Sequence, residues 1–189
     1  HANHCIQKAI ETISGVARHA TGDSKQILYN SVGFIVRALE GRVEAIARDV
    51  YGCRVIQRVI EHSPVDMKEK LLKELCMNIS SLIGDQYGNY VMQHLMLYGG
   101  EKERCELLHT LEVNLLVYSK HKFASNVVET CLQNASTDER SRIIWSLINT
   151  TFNLKESFDG NDENKSSLEI MCRDPYANYV MQKIVDLAD

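Results

Sequence analysis

Asp85-Gln86-Tyr87-Gly88-Asn89-Tyr90-Val91-Met92-Gln93 returns almost unchanged as Asp174-Pro175-Tyr176-Ala177-Asn178-Tyr179-Val180-Met181-Gln182. Three more stretches fall in the same register: His1-Ala2-Asn3-His4-Cys5-Ile6-Gln7, Tyr51-Gly52-Cys53-Arg54-Val55-Ile56-Gln57 and Phe123-Ala124-Ser125-Asn126-Val127-Val128-Glu129. Their third residues, Asn3, Cys53, Asn89, Ser125 and Asn178, are 50, 36, 36 and 53 positions apart. A unit of 36 residues, with about 14 and 17 extra in the outer gaps, is the signature of a repeat architecture.

Each copy reads as the start of a helix. Asp49, Asp85 and Asp174 precede the small Gly or Ala with two residues between, where a carboxylate can accept the free N–H groups of a first turn. Apolar residues then recur with helical period, as at Val91, Met92, Leu95 and Met96. Helices are therefore expected near 2–13, 52–62, 88–98, 124–134 and 177–188. A second amphipathic helix completes each unit. One opens at Ser63-Pro64-Val65-Asp66 with a cap and a first-turn proline, another at the capping box Ser136-Thr137-Asp138-Glu139. Short apolar pieces, 79–83 and 113–118, bridge them. Units this small cannot bury their apolar faces alone and must stack, so residues 1–189 are expected to form a single all-α solenoid. The surplus residues, about 15–30 and 155–167, are expected to be solvated loops grafted between helices. The chain opens inside one such helix and stops shortly after another, as a piece of a longer protein would.

Composition agrees. Ten glycines and two prolines in 189 residues are too few for a turn-rich β fold, and no apolar run approaches the ~18 residues of a membrane span, so no membrane partner is expected. A net charge of −4 excludes a polyelectrolyte binder but not a basic stripe on one face. The six cysteines show no Cys-x-x-Cys and no short spacing to His, so no metal site is expected. Reduced, mostly buried thiols in the cytosol or nucleus are the better reading. Trp145, on an amphipathic helix, is expected in the core. No phosphate-cradling loop, His-Glu-x-x-His or nucleophile elbow is present, so no catalytic residue and no cofactor is assigned and the chain is not read as an enzyme.

Polar residues recur at fixed places in the repeated helix. The third and seventh positions pair as Asn3/Gln7, Cys53/Gln57, Asn89/Gln93, Ser125/Glu129 and Asn178/Gln182, one turn apart on one face. The fourth position, His4, Arg54, Tyr90, Asn126 and Tyr179, offers a flat surface on which a base can stack. A donor and acceptor pair beside a stacking plane, once per repeat, suits unstacked bases. Lys8, Arg58, His94 and Lys183 at the eighth position are candidates to approach phosphates. A structural reading is also available, in which each Asn or Gln bonds a loop carbonyl and the tyrosines are amphipathic core.

These segments resemble the recognition helices of the Pumilio (PUF) family of single-stranded RNA-binding proteins, over nearly the whole chain. Tyr51–Gln57, Asp85–Gln93, His121–Glu129 and Asp174–Gln182 carry the likeness, and their order resembles the fourth to eighth repeats of an eight-repeat domain. His1 departs from the aromatic usual at its place. The resemblance implies a right-handed α-solenoid of three-helix repeats and a residue code: Asn with Gln for uracil, Cys or Ser with Gln for adenine, Ser with Glu for guanine. Read antiparallel, the five repeats specify 5′-UGUAU-3′. It further implies UGUA-containing messenger RNA 3′ untranslated regions as ligand, a cytoplasmic regulator of translation and decay, and deadenylase or translational-repressor proteins as partners. The alternative is an armadillo- or HEAT-like protein scaffold, which shares the architecture but leaves the paired polar positions unexplained.

Overall fold

The computed structural model describes residues 2–153 and 167–187, and the described residues are helical with no strand. They form two compact units, His1–Arg104 and Cys105–Asp189. The first contains α1 (Ala2–His19), α2 (Gly22–Leu39), α3 (Val43–Ala47), α4 (Gly52–His62), α5 (Val65–Met77), α6 (Ile79–Ile83) and α7 (Gly88–Tyr98). The boundary falls inside α8 (Glu101–Val113). The second contains α9 (Leu115–Ser119), α10 (Ala124–Asn134), α11 (Thr137–Asn153), α12 (Ser167–Arg173) and α13 (Ala177–Asp186).

A short helix, a recognition helix and a third helix recur as α3-α4-α5, α6-α7-α8 and α9-α10-α11. In the first unit α4 packs on α1 and α7 on α4; in the second, α13 packs on α10. The stacked faces are the apolar stripes read from the sequence: Val55, Ile56, Val59 and Ile60 on α4, Val91, Met92, Leu95 and Met96 on α7, Val127, Val128, Cys131 and Leu132 on α10. Three expected helices, 52–62, 88–98 and 124–134, have the observed bounds.

The sharp starts of α4, α7 and α13 come from the predicted caps. Asp49 Oδ1 accepts the N–H groups of Tyr51 and Gly52 at 2.9 and 2.7 Å, and Asp85 Oδ1 those of Tyr87 and Gly88 at 2.9 and 2.8 Å. Asp174 Oδ1 does the same for Tyr176 and Ala177, both at 2.9 Å. Arg48 adds an ion pair to Asp85 at 3.7 Å. Asp85→Ala is expected to lower the unfolding free energy by roughly 0.5–2 kcal/mol, the usual worth of an N-cap, measured by urea denaturation.

The expected loop at 15–30 is instead helical. α1 runs on to His19, and α2 begins at Gly22. The reason lies in what ends the other recognition helices. Ser63-Pro64, Gly99-Gly100 and Ala135-Ser136 stand where α1 has Ile13-Ser14; the first two pairs bring Pro or Gly, and the third ends α10 where Ser136 opens the capping box of α11, while Ile13-Ser14 has neither device. Thus α1 has 18 residues against 11 in α4, α7 and α10, and α2 has 18 against 13 in α5 and α8, which absorbs most of the extra length. A cation also marks the shorter ends. Lys68 Nζ donates to the Ile60 carbonyl, and Arg140 Nε and Nη2 donate to the Leu132 and Ala135 carbonyls at 3.0 and 3.2 Å. Val32 holds that register position beside α1. The other surplus segment, 155–167, lies outside the described residues except for Ser167, which opens α12.

Three smaller expectations are corrected. Trp145 is 61% exposed, because Ile143 and Leu147 take the core side of α11 and Trp145 falls in the outward column of Lys73 and His109. The thiols are not mostly buried: Cys53 and Cys131 are, Cys76 is half-buried, and Cys5, Cys105 and Cys172 are exposed. Ser63 does not cap α5 through its side chain; extended at ψ 146°, it ends α4 instead, its N–H donating to Val59. The Ser136–Glu139 capping box forms as expected, with reciprocal bonds of 2.8 and 3.3 Å.

Candidate nucleic-acid interface

The fourth position of every recognition helix points outward. His4, Arg54 and Tyr90 in the first unit and Asn126 and Tyr179 in the second are all exposed. Cys53 and Val55, Asn89 and Val91, Ser125 and Val127 stand on either side of an exposed residue and are themselves buried. The tyrosines are therefore not core. The Arg54 guanidinium lies over the Tyr90 ring, 5.2 Å from its centroid, so the fourth-position side chains of these two successive repeats meet, and a base entering between them would replace that contact.

The third and seventh positions divide their labour. Asn89 Nδ2 donates to the Asp85 and Gln86 carbonyls at 2.9 and 3.0 Å, and Asn178 Nδ2 to the Asp174 carbonyl at 2.7 Å. The structural reading is thus realised at the third position of these two repeats. Asn89 Oδ1 in turn accepts from Gln93 Nε2 at 3.1 Å, so the anchored amide aims the seventh-position side chain. Cys53 Sγ lies 3.5 Å from the Val50 carbonyl, and both Cys53 and Ser125 are buried. Asn3, Gln7 and Asn178 are half-buried and Gln182 is exposed.

Gln57 is the most informative member of the set. Its Oε1 accepts from Arg54 Nη1 at 3.4 Å, but its Nε2 is buried with no hydrogen-bond partner, in a side chain only 1% exposed. An orphaned buried donor costs about 1–3 kcal/mol, which a ligand acceptor would recover. Glu129 is half-buried. Burial pushes its carboxyl above the usual carboxylate range, and Lys183 on α13 pulls it back. An acceptor-only group held in partial burial suits a ligand edge with paired N–H donors.

The eighth-position cations are already engaged. Lys8 pairs with Glu11 at 3.8 Å, Arg58 with Glu11 at 3.7 Å and with Glu61 at 2.7 Å, and His94 Nε2 lies 3.8 Å from Glu61. Burial, then the nearby Arg58, lowers the His94 pKa and favours its neutral form. A phosphate approaching these residues would compete with Glu11 and Glu61. The i, i+3 spacings of Lys8 to Glu11 and of Arg58 to Glu61 could have revealed both acids. Among the described residues no group of His, Cys, Asp or Glu could hold a metal ion.

The profile of the Pumilio-family RNA binding repeat matches residues 1–20, 42–76, 78–111, 114–148 and 170–189. The chain belongs to the Pumilio family. Its repeats are therefore PUF repeats, and its architecture is an all-α solenoid. Among relatives, Pumilio homolog 12 of Arabidopsis thaliana is 32% identical over 180 residues, 95% of this chain and 27% of that protein. Pumilio homology domain family member 4 of Saccharomyces cerevisiae is 26% identical over 98% of this chain and 18% of its own length. The solved Puf3 RNA-binding domain, bound to a recognition sequence of the Cox17 RNA 3′ UTR, is similar at a TM-score of 0.75 and 34% identity, over 99% of this chain and 51% of that one. PUF-8 in complex with PBE-RNA gives 0.74 and 26%, over 99% and 52%. The chain thus spans about half of the solved domains and under a third of these curated relatives. Residues 21–41, which hold the lengthened α2, are the longest stretch of the first unit that the repeat profile leaves unmatched.

Proposed function

We propose that this chain binds single-stranded RNA sequence-specifically, one base per PUF repeat, with 5′-UGUAU-3′ as its site. Asn178 and Gln182 would take the first U, Ser125 and Glu129 the G, Asn89 and Gln93 the next U, Cys53 and Gln57 the A, and Asn3 and Gln7 the last U. The observation that carries this reading is the Gln57 amide, a buried donor without a partner beside the exposed Arg54 plane. A peptide-binding scaffold would have no use for a stacking surface at this position in every repeat. The Puf3 domain's RNA lies in a messenger 3′ UTR, which supports the same ligand class here. Cytoplasmic control of translation and messenger decay, with recruited deadenylase or repressor proteins, completes the proposal; the function is binding rather than catalysis.

Fluorescence anisotropy at fixed salt, comparing a short RNA containing UGUAU with one carrying UCUAU, tests it. A preference of about 1–3 kcal/mol for UGUAU is expected. Equal, weak binding to both would sink sequence-specific recognition and favour the scaffold reading.

A further inference from the structure

The recognition helices α4, α7 and α10 stop at His62, Tyr98 and Asn134, the register of Thr12 in α1. Residues 13–19 therefore carry α1 past the point where these helices end. Within that extension Arg18 returns to the reading face. It stands 14 residues after His4, 11 after Gln7 and 7 after Glu11, each close to a whole number of turns at 3.6 residues per turn. Gly15, one turn earlier, adds no side chain in between. We infer that Arg18 is a phosphate contact for RNA that flanks the five-base site on its 3′ side, an inference that rests on the RNA-binding reading above.

The state of the neighbouring cations distinguishes Arg18. Lys8 and Arg58 are held by Glu11 and Glu61, whereas Arg18 is exposed and, among the described residues, has no acidic partner. It acts electrostatically on His62 at the end of α4, the helix that packs on α1, so its guanidinium lies on the α4 side of α1. A cation in a last turn also suits the helix macrodipole, but the macrodipole is indifferent to which face carries it. A guanidinium offers forked donors that match a phosphate, and being free it need not leave a carboxylate to bind one. The direction of the flank follows from the repeat order. Asn3 and Gln7 on α1 take the last U of the site, so the strand passes α1 as it leaves at its 3′ end. Arg18 lies about 16 Å beyond Gln7 along the helix axis, out of reach of the nucleotide whose base Gln7 reads and open to those that follow.

Anisotropy over a series of salt concentrations, with UGUAU, UGUAUCCCC and CCCCUGUAU RNAs, tests this. Arg18→Gln removes the charge while keeping a good helix former, and Arg18→Lys keeps the charge. In wild type the 3′ tail is expected to tighten binding about two- to fivefold, the worth of one exposed ion pair, and more than the 5′ tail does. Arg18→Gln should lose that gain and bind UGUAUCCCC with a salt slope shallower by about 0.7, the share of one phosphate on a single strand. It should bind bare UGUAU, and prefer it over UCUAU, as wild type does; Arg18→Lys should retain the tail's effect. No gain from the 3′ tail in wild type, an unchanged affinity and slope in Arg18→Gln, or an equal loss on the bare pentamer overturns the inference alone. Absence of any wild-type preference for UGUAU over UCUAU would instead overturn the RNA-binding reading, and the 3′ contact with it.

Discussion

Replacing Ser125 by Asn and Glu129 by Gln together is expected to turn the preference at the second base of the site from G to U. With each mismatched base costing about 1–3 kcal/mol, the swing between the two bases should be roughly 2–6 kcal/mol. Glu129 offers only acceptors while ionised, which suits the N1–H and N2–H donors of guanine; a Gln amide offers one donor and one acceptor, which suits the N3–H and O4 of uracil. Asn89 and Asn178 show what Asn does at the third position, where its amide is anchored on the carbonyl four residues back. At position 125 that carbonyl belongs to His121, which already accepts from the Ser125 N–H at 3.0 Å. An Asn there can therefore aim the amide introduced by Glu129→Gln as Asn89 aims Gln93, without disturbing α10. Anisotropy with UGUAU and UUUAU RNAs checks the result, and an unchanged G preference would refute the assignment of Ser125 and Glu129.

The parts of this molecule that were legible in advance are those where a local rule and the stacking agree. Asp85 followed by Tyr87 and Gly88 is a capped helix start by its own chemistry, and the burial of Val91, Met92, Leu95 and Met96 follows from period alone. The lengthened α1 and α2 are hidden in the sequence because polar residues such as those at 22–26 suit an exposed helix as well as a loop; what bears on the choice is that Ile13-Ser14 offers neither a Pro or Gly nor a capping box for a new helix. Trp145 was misplaced because an amphipathic pattern does not say how wide the buried stripe is, and α11 needs only Ile143 and Leu147 there. His121, whose Nδ1 accepts the N–H groups of Phe123 and Ala124 at 3.2 and 3.3 Å, escapes notice as a cap because the usual capping residues are carboxylates, amides and hydroxyls. Aligning it with Asp49, Asp85 and Asp174 would have exposed it. The sequence marks the third-position asparagines as base contacts; that Asn89 and Asn178 also anchor on backbone carbonyls takes coordinates to see, since an Asn side chain in the first turn of a helix can face either way.

Tyr90→Ala should weaken RNA binding by about 1–3 kcal/mol while leaving the ratio of affinities for UGUAU and UCUAU close to its wild-type value. The ring is 43% exposed, whereas Asn89 before it is 1% exposed and Val91 after it fully buried, so its removal takes away surface and leaves the packing of α7 intact. The urea midpoint of the variant should accordingly stay near that of wild type, since surface changes away from caps and core usually fall within about 0.5 kcal/mol. What is lost is a π-face, and every base has one of its own, so the penalty is blind to base identity. Arg54 sharpens the argument. Its guanidinium now rests 5.2 Å from the Tyr90 ring and 3.4 Å, through Nη1, from Gln57 Oε1. Without the ring it keeps the second contact and loses the first, so any base that stacks between the two repeats loses one of its two walls. Tyr90→Phe preserves that wall and should bind as wild type does. A loss confined to RNAs with one particular base would mean that Tyr90 reads an edge through its hydroxyl, and the Phe variant would then fail along with the Ala variant.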